Sequence, residues 1–372
     1  MGKKFMKERL ILIVPNFPLD IRGYKYVKSL FKKYEIYLIV NSYNGEDQIF
    51  ENTKKFLKEI IVVGNKLPLN FPFNFKREKI IKKLINRINP NIVICRDIFL
   101  SRFINNNKKN IKYILDFCDN FPEVLETMFG IKGKIMGKIA NIIEKNAIKK
   151  FDEVIFVSEE SYNYVLEKHK LKKRKKILEN VPIVSTEEKK VFSRENIVYI
   201  GTINKKIRDF ETVFNGLKIL KQKNKKMKLD IYYFLNQEKI KLYYENLAKE
   251  MLIEDMITFI PAVEYKKINL ILSKYKVGLV PHTRTKATDF TVPNKIYDYL
   301  HMELPILASD NPSLKKILKN VNAGEIYIGE SPKDFADKLL KVYENKYFKE
   351  EELEIIKNKF NWEVQIKKLD IF

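Results

Sequence analysis

Short apolar runs rich in β-branched residues alternate along the whole chain with longer stretches whose apolar residues recur at helical spacing. In the first half of the chain the runs cover residues 10–14, 36–40, 60–63, 92–95, 113–117 and 154–157. In the second half they cover residues 197–200, 229–234, 257–260, 277–280, 305–308 and 325–328. Strands that alternate with helices are typical of parallel sheets covered by helices. The pattern therefore predicts an α/β protein with two doubly wound, Rossmann-like domains.

A polar segment without hydrophobic periodicity, residues 183–195, separates the two halves. One domain takes roughly 100–200 residues, so a chain of 372 residues is long enough for two. We therefore predict a first domain over residues 1–188 and a second over residues 195–350. The remaining stretch, residues 351–372, has helical periodicity and contains the only tryptophan, Trp362.

The chain has 71 basic and 47 acidic residues, and its formal net charge of +24 favours an anionic partner such as a nucleic acid or a membrane. Its richness in Lys, Ile, Asn, Tyr and Phe is also what AT-rich coding sequence produces, so codon drift can explain part of the excess. No RNA-binding fingerprint or helix-turn-helix pattern stands out, and no nucleic-acid partner is expected. No apolar run approaches the ~18 residues of a spanning helix, so we expect a cytoplasmic protein. The two cysteines and three histidines are too few for a disulfide framework or a zinc site.

Two stretches of the first half, residues 73–89 and 128–150, are basic and amphipathic. The apolar residues of the first are Ile80, Ile81, Leu84, Ile85 and Ile88. Those of the second are Ile131, Ile135, Ile139 and Ile142. Such helices either lie on an anionic bilayer or pack their apolar stripe on a sheet and leave the lysines in solvent. We predict peripheral contact with the inner face of the cytoplasmic membrane, with packing on the sheet as the alternative for each helix.

The segment 291–310 carries the clearest chemical signal. It is predicted to form a loop with Pro293, a helix that begins near Asn294 and a buried strand, all after an apolar run. A helix that begins at the carboxyl end of a parallel strand binds anions, because its free N–H groups and its macrodipole favour phosphate. Lys295 adds a positive charge in the first turn. Asp298, one turn later, is placed to accept hydrogen bonds from a ribose.

This segment resembles the nucleotide-sugar signature of family 4 glycosyltransferases, the group 1 enzymes, whose two Rossmann-like domains face each other across a cleft in the GT-B fold. The family carries two glutamates, separated by seven residues, ahead of a Gly-x-Pro-hydrophobic strand. The second glutamate falls on Asp298 and the first on Phe290, next to Asp289. Glu303 stands where the family usually has the glycine. The Pro-Asn-Lys sequence at 293–295 is similar to that of members that make surface polysaccharides.

A second segment, residues 197–209, resembles the phosphate loop of the family. It is predicted to be a strand, a turn at Gly201 and a basic loop that enters a helix. Thr202 stands in the place of the usual arginine. Arg208, or less closely Lys206, occupies the place of a downstream lysine.

Three further segments agree with the same resemblance. Residues 115–123 resemble the strand end that supports the transferred sugar, with Cys118-Asp119 in place of a His-Asp pair. Residues 15–23 occupy the place of the first flexible loop of the family. The sequence Phe-Asn-Trp at 360–362 resembles the helix that crosses back, so a helix over 355–372 is expected to pack on the first domain.

The resemblance implies a retaining, metal-independent glycosyltransferase that moves a sugar from a UDP- or GDP-linked donor to a lipid-linked or polysaccharide acceptor in cell-surface glycan synthesis. It implies no other cofactor. The residues expected to take part in the chemistry are Asp119, Asp289, Arg208 and Lys295. Those expected to bind the donor are Gly201, Thr202, Lys206, Arg208, Ala262, Thr291, Asn294, Lys295 and Asp298. Those expected on the acceptor side are Arg22 and Gly23.

Three other functions stay open. A nucleotide-sugar epimerase also uses two such domains, although it needs acid and base residues in its cleft. A basic nucleic-acid-binding module would explain the net charge of +24. A non-catalytic scaffold is compatible with the departures at Thr202 and Phe290.

Overall fold

The computed structural model describes residues 7–43, 53–64, 75–105, 110–184, 194–225, 227–369 and 371. The chain forms two compact units, one of Met1–Glu179 with Gln365–Phe372 and one of Asn180–Val364. The units divide at residue 180, ahead of the predicted domain bounds at 188 and 195. Most of the predicted linker 183–195, and the first two residues of the basic stretch 73–89, lie outside the described residues.

The first unit is a six-stranded parallel sheet with helices between its strands. The strands are β1 (Glu8–Phe17), β2 (Tyr34–Tyr43), β3 (Glu59–Val62), β4 (Ile92–Cys95), β5 (Lys112–Phe117) and β6 (Glu153–Phe156). The helices are α1 (Ile21–Leu30), α2 (Phe75–Ile88), α3 (Ile98–Ser101), α4 (Phe121–Lys150) and α5 (Glu159–His169). The strand order is β3-β2-β1-β4-β5-β6. Every residue of the central strand β4 is buried, which explains its continuous apolar run.

The second unit repeats this plan. Its strands are β7 (Glu195–Ile200), β8 (Leu229–Tyr233), β9 (Ile257–Pro261), β10 (Tyr275–Val280), β11 (Ile306–Ser309) and β12 (Gly324–Tyr327), in the order β12-β11-β10-β7-β8-β9. Its helices are α6 (Phe210–Gln222), α7 (Glu238–Glu250), α8 (Ile268–Leu272), α9 (Lys286–Asp289), α10 (Asn294–His301), α11 (Pro312–Val321), α12 (Pro332–Glu344) and α13 (Glu350–Lys359). The predicted α/β architecture is confirmed, because each predicted apolar run overlaps one of these strands.

The strand order places a switch point in each sheet. In the first unit, β1 pairs with β2 on one side and with β4 on the other. In the second unit, β7 pairs with β8 on one side and with β10 on the other. The connections on the two sides of such a strand leave in opposite directions, so a crevice forms at the carboxyl ends of the central strands. Ligands of open α/β sheets bind in such crevices.

The C-terminal segment differs from the helix predicted over 355–372, because it forms two helices. The helix α13 ends at Lys359, and a second helix, α14 (Trp362–Ile366), follows. The break occurs at Asn361, whose Oδ1 accepts the N–H of Glu363 at 2.9 Å and so caps α14. Residues Gln365–Phe372 cluster with the first unit, where the hydroxyl of Tyr34 donates to the carbonyl of Ile371 at 2.7 Å.

Candidate functional site

Lys295 lies in the first turn of α10 and turns its ammonium group onto the end of β7. Nζ lies 3.7 Å from the centre of the Tyr199 ring. It is buried and has no hydrogen-bond partner among the described residues. Gly201 permits this approach, because a Cβ there would lie 3.0 Å from Nζ, and its φ of 131° is one that residues with a side chain rarely adopt. Burial, followed by the charge of Arg208, lowers the pKa of Lys295 well below its usual value.

The guanidinium of Arg208 contacts the same tyrosine. Nε donates to Tyr199 Oη at 2.9 Å, and Nη1 donates to the carbonyl of Ile207 at 2.7 Å. The Tyr199 hydroxyl in turn donates to the carbonyl of Thr202. In the described part of the chain, therefore, the hydrogen-bond partners of Arg208 are a phenol and a carbonyl, and neither carries a charge.

His282 completes the group just beyond β10. Its backbone pairs with that of Arg208 in an isolated antiparallel bridge, and the residue is only 2% exposed. Neither ring nitrogen has a hydrogen-bond partner within the described residues. Burial, followed by the charges of Arg208 and Lys295, lowers the pKa of His282 well below 6.5, so the ring is neutral at pH 7. A neutral imidazole still has one N–H to donate.

Three nitrogen-bearing side chains thus meet at the carboxyl ends of β7 and β10, which is the switch point of the second sheet. The N-terminus of α10 lies beside them, with no acidic residue in its first turn and no side-chain hydrogen bond from its cap residue Pro293. Positive charge and hydrogen-bond donors are concentrated here without a paired carboxylate. An arrangement of this kind binds an anionic oxygen group such as a phosphate.

Asp298 lies one turn further along α10. Its Oδ1 accepts a hydrogen bond from the hydroxyl of Tyr265 at 3.1 Å, and the residue is 9% exposed. Burial, followed by the charge of Asp298, raises the pKa of Tyr265 well above its usual value, so the phenol stays a donor. The carboxylate is therefore held in one orientation near the phosphate-type site, where it can accept hydrogen bonds from hydroxyl groups.

The side chain of Gln237 holds the loop after Gly201 through two hydrogen bonds. Gln237 Nε2 donates to the hydroxyl of Thr202 at 2.6 Å, and its Oε1 accepts the N–H of Ile203 at 3.1 Å. Lys206 lies exposed on the turn before Arg208 and lines a cavity of about 520 Å³ together with Arg208 and His282. The structure thus brings Thr202, Lys206 and Arg208 to one loop.

Of three further residues predicted to bind the donor, two lie at the start of α10 or in the loop before it, and the third, Ala262, lies elsewhere on the sheet. Asn294 opens α10, and its Oδ1 accepts from Asn180 Nδ2 at 2.6 Å. Thr291 donates its hydroxyl to the carbonyl of Ala287 at 3.0 Å, which orders the loop before α10. Ala262 follows the edge strand β9, two strands away from β7. The sheet order therefore separates Ala262 from the group formed by Lys295, Arg208 and His282.

Asp289 is held in an ion-pair network at the end of α9. Its Oδ1 accepts from Arg284 Nε at 2.8 Å and from Asn311 Nδ2 at 2.7 Å. Arg284 also pairs with Asp310 at 3.0 Å. The carboxylate that was predicted to lie near the sugar thus has structural partners, and its part in the chemistry stays a prediction.

Arg22 is placed differently from the sequence-based expectation. It lies in α1 rather than on a flexible loop, and it is 2% exposed. Nε and Nη2 donate to the two carboxylate oxygens of Asp116 at 2.8 and 2.6 Å. Burial by itself would raise the pKa of Asp116, but Arg22 and then Arg96 lower it to about 2. The expectation that Arg22 faces an acceptor phosphate is corrected, because its guanidinium is buried and neutralised.

A smaller cavity, of about 200 Å³, lies at the carboxyl ends of β1 and β4 in the first unit. Asp119 lines it with an exposed side chain, beside Arg96 and Asp20. Arg96 Nη1 and Nη2 donate to Asp20 at 2.6 and 3.0 Å. The predicted acceptor-side residue Gly23 donates its N–H to Asp20 at 2.8 Å, and a Cβ there would lie 3.0 Å from Arg96 Nη1. The absence of a side chain at Gly23 therefore leaves space for the ion pair between Arg96 and Asp20.

The comparison with protein families gives a match in the second half of the chain. The sequence model of the group 1 glycosyl transferases matches residues 185–362, the stretch that contains Lys295, Arg208 and His282. This second half of the chain carries the sequence pattern of the group 1 glycosyltransferases. This match supports glycosyl transfer as the activity of the chain. No curated protein matches the sequence of the chain.

Solved structures resemble this chain over nearly its whole length. Sucrose-phosphate synthase from Thermosynechococcus elongatus has a TM-score of 0.74 at 12% identity, with 97% of each chain covered. The lipopolysaccharide outer core galactosyltransferase WaaB has a TM-score of 0.66 at 16% identity, with 96% of this chain and 97% of that chain covered. A glycosyltransferase from Rickettsia africae ESF-5 has a TM-score of 0.64 at 16% identity, with 98% and 97% covered. At such identities the similarity is one of fold, and the predicted two-domain GT-B fold is confirmed.

Sequence reasoning gave no role to two residues that organise this site. Tyr199 joins Lys295 to Arg208, yet in the sequence it is one apolar-type residue within a strand. Gln237 acts from the start of the next crossover, after β8, and no motif marks it. The position of Tyr199 could have indicated its role, because the last residues of a strand at a switch point lie at the ligand-binding crevice.

Proposed function

We propose that this protein is a retaining glycosyltransferase that transfers a sugar from a UDP- or GDP-linked donor to a lipid-linked or polysaccharide acceptor in cell-surface glycan synthesis. The single observation that carries the proposal is the cluster of Lys295, Arg208 and His282. Lys295 and Arg208 contact the same Tyr199 side chain, and Arg208 and His282 line the same cavity. No carboxylate of the described residues forms a salt bridge with either cation there. A diphosphate would supply the missing negative charge.

The cluster would act on the leaving group. As the bond from the anomeric carbon to the phosphate oxygen breaks, negative charge grows on the departing nucleoside diphosphate and positive charge grows on the sugar. Lys295, Arg208 and the N-terminus of α10 are preorganised donors for the growing negative charge, and such donors lower a barrier most in a buried site. The buried Nζ of Lys295, which has no hydrogen-bond partner among the described residues, agrees with a site prepared for an anion.

Retention of configuration would follow from attack on the face that the leaving group vacates. The acceptor oxygen bonds to the anomeric carbon, the bond from that carbon to the phosphate breaks, and the departing phosphate takes the acceptor proton. No protein nucleophile is needed in this scheme. Asp119 and Asp289 are the carboxylates that we propose near the sugar, and neither is required to form a covalent bond.

Asp298 supports a nucleotide rather than an inorganic phosphate as the donor leaving group. It is fixed by Tyr265 one helical turn beyond Lys295, so it lies on the same helix as the phosphate-type site. A carboxylate in such a place can accept both hydroxyls of a ribose. The cell-surface role is supported by the Pro-Asn-Lys sequence at 293–295 and by the fold shared with WaaB, named as a lipopolysaccharide outer core galactosyltransferase.

The experiment is a transfer assay with labelled UDP- and GDP-sugars and a lipid-linked glycan extract, run with and without EDTA. We expect acceptor-dependent release of nucleoside diphosphate, a product with the anomeric configuration of the donor by NMR, and full activity in EDTA. Epimerised nucleotide sugar formed without any acceptor would contradict glycosyl transfer. An inverted product would contradict retention, and an absolute need for divalent ions would contradict the metal-free scheme.

A further inference from the structure

The helix α4 is folded back on itself at Gly130. The backbone there has φ 58° and ψ −127°, which interrupts the helix and divides it into residues 121–129 and residues 131–150. We call the second part the α4 arm. A Cβ at Gly133 would lie 2.1 Å from the carbonyl oxygen of Leu125, and one at Gly137 would lie 2.9 Å from Glu126 Cγ. The arm therefore packs on the first part of α4 through a face of small residues.

The opposite face of the α4 arm carries large apolar side chains in solvent. Ile131 is 82% exposed, Ile135 64%, Ile139 51% and Ile142 63%. At about 100° per residue these four positions fall within roughly 80° around the helix. A single exposed isoleucine needs no explanation, but a row of four along three turns is a contact surface. Phe129, at the head of the arm, is 56% exposed and adds to it.

The charges around this row have one sign. The exposed lysines of the arm are Lys132, Lys134, Lys138, Lys145 and Lys149. Its single carboxylate, Glu144, is buried and pairs with Lys168 and His169, at 2.6 Å in both cases. The arm thus presents isoleucines and lysines together, with no exposed acidic side chain.

We propose that the α4 arm docks the protein on a lipid bilayer that contains anionic lipids. The isoleucines would enter the boundary between headgroups and acyl chains, and the lysines would pair with lipid phosphates while their alkyl stems cover apolar surface. Charge complementarity selects this occupant, because an apolar protein groove would not need five lysines around the contact. None of the helices in the described residues is long and apolar enough to cross a membrane, so the arm lies in the interface plane.

The structure also excludes the other basic helix from this role. In α2, Ile81, Ile85 and Ile88 are buried in the core of the first unit, and Lys79, Lys82 and Lys83 are exposed on its polar face. This helix has the charge of the α4 arm without its apolar row, which makes it a matched control. Docking stands apart from the proposed enzymatic function, since it uses none of the residues placed in the donor site.

The experiment is co-sedimentation with vesicles of phosphatidylcholine alone and with 30% phosphatidylserine. Three variants are compared with the wild type: Ile135→Ser with Ile139→Ser, Lys134→Glu with Lys138→Glu, and the control Lys82→Glu with Lys83→Glu. We expect wild type to bind the anionic vesicles only and to dissociate in 0.5 M salt. Each α4 variant is expected to lose binding at least tenfold, and the control less than threefold. Binding of UDP or GDP, measured on the same samples, should be unchanged.

A tryptophan probe separates insertion from electrostatic adsorption. The native Trp362 is fully buried, so Ile139→Trp adds one reporter on the arm. A blue shift of its emission with anionic vesicles is expected. The proposal is overturned if wild type ignores anionic vesicles at low salt, if the control loses as much as the α4 variants, or if the probe does not shift. It is also overturned if sedimentation velocity shows that the arm pairs two copies of the chain and that vesicles do not separate them.

Discussion

Topologically equivalent positions in the two sheets carry basic or imidazole side chains. The two units differ in whether a carboxylate pairs with these side chains. In the first unit Arg22 follows β1 and Arg96 follows β4, and both donate to buried Asp116. In the second unit Arg208 follows β7 and His282 follows β10. There no carboxylate of the described residues pairs with Arg208, and Lys295 Nζ is left without a hydrogen bond. The first crevice contains the carboxylate that balances its arginines, whereas the second contains no described carboxylate paired with Arg208 and is proposed to bind an external anion.

The difference has an energetic meaning. A buried ion pair balances its desolvation by mutual attraction, so losing one partner is costly. For Lys295, burial and then the charge of Arg208 lower the pKa and outweigh the opposing effect of Asp298, so the buried ammonium gives little stability. Removing one partner of the ion pair in the first crevice is therefore expected to destabilise the fold, and removing the Lys295 ammonium from the second is not.

The same substitution in the two crevices should have opposite effects on stability, and this is the largest expected change. Arg22→Met leaves Asp116 without its bidentate partner and is expected to lower the free energy of unfolding by about 3–5 kcal/mol in urea. Lys295→Met removes a buried ammonium that has no hydrogen-bond partner among the described residues, and it is expected to leave that free energy unchanged or to raise it. Equal destabilisation by both variants would contradict the comparison.

Catalysis should show the reverse pattern. Lys295→Met and Arg208→Met are expected to lower kcat about 10²–10³-fold, because each removes a donor that strengthens as the leaving group gains charge. The KM for the donor is expected to rise less than kcat falls. Steady-state kinetics with Lys249→Met, an exposed lysine of α7 that does not line the cavity of Arg208 and His282, is the control and should resemble wild type. A rise in KM with kcat unchanged would show that the cluster only binds the donor in the ground state, which would contradict its proposed role in the transition state.

Asp298 should affect donor binding on a smaller scale. Asp298→Ala is expected to weaken nucleotide binding about 10–100-fold, the loss of a hydrogen-bonded carboxylate worth about 1.5–3 kcal/mol. Asp298→Glu should keep much of the affinity, because it keeps the carboxylate. If calorimetry finds the same nucleotide affinity for Asp298→Ala and wild type, Asp298 does not bind the donor.

The smallest expected effect is a difference in pH dependence. The pKa of His282 is lowered from 6.5, so the unfolded state takes up a proton first and stability falls as pH falls below about 6.5, by at most ~1.4 kcal/mol per pH unit. The pKa of Asp116 is lowered to about 2, so its contribution is present above pH 3.8 and is lost as pH falls toward 2. We therefore expect His282→Gln to flatten the profile between pH 6.5 and 5, and Asp116→Asn to leave that window unchanged. Urea denaturation at each pH measures this, and parallel profiles for wild type and His282→Gln would count against the assignment.

The fold was predictable because its signal is local. Parallel strands buried on both faces read as apolar runs, and every such run became a strand. Lys295, Arg208 and Asp298 were also predictable as neighbours, since strand order brings the carboxyl ends of β7 and β10 together. Arg22 was not, because its buried partner Asp116 is 94 residues away in sequence and inside a strand.

The two basic helices show a second limit of the sequence. Both have isoleucines at four-residue spacing among lysines, yet the stripe of α2 is mostly buried and that of the α4 arm is exposed. The difference lies in what surrounds each stripe. In α2 the neighbouring positions Ile81 and Ile85 widen the stripe and pack on the core, whereas the α4 arm packs through Gly133 and Gly137 on the face opposite its isoleucines. A small-residue face opposite the apolar row was the available signal.

The most direct test of the open anion site is calorimetric titration with matched nucleoside mono- and diphosphates, uridine or guanosine according to which base binds. Wild type is expected to bind the diphosphate at least tenfold more tightly than the monophosphate. Lys295→Met and Arg208→Met are each expected to reduce this preference strongly, while Lys249→Met preserves it. Equal binding of the two nucleotides by wild type, or a preference unchanged in both variants, would contradict the claim that this crevice is built for a diphosphate.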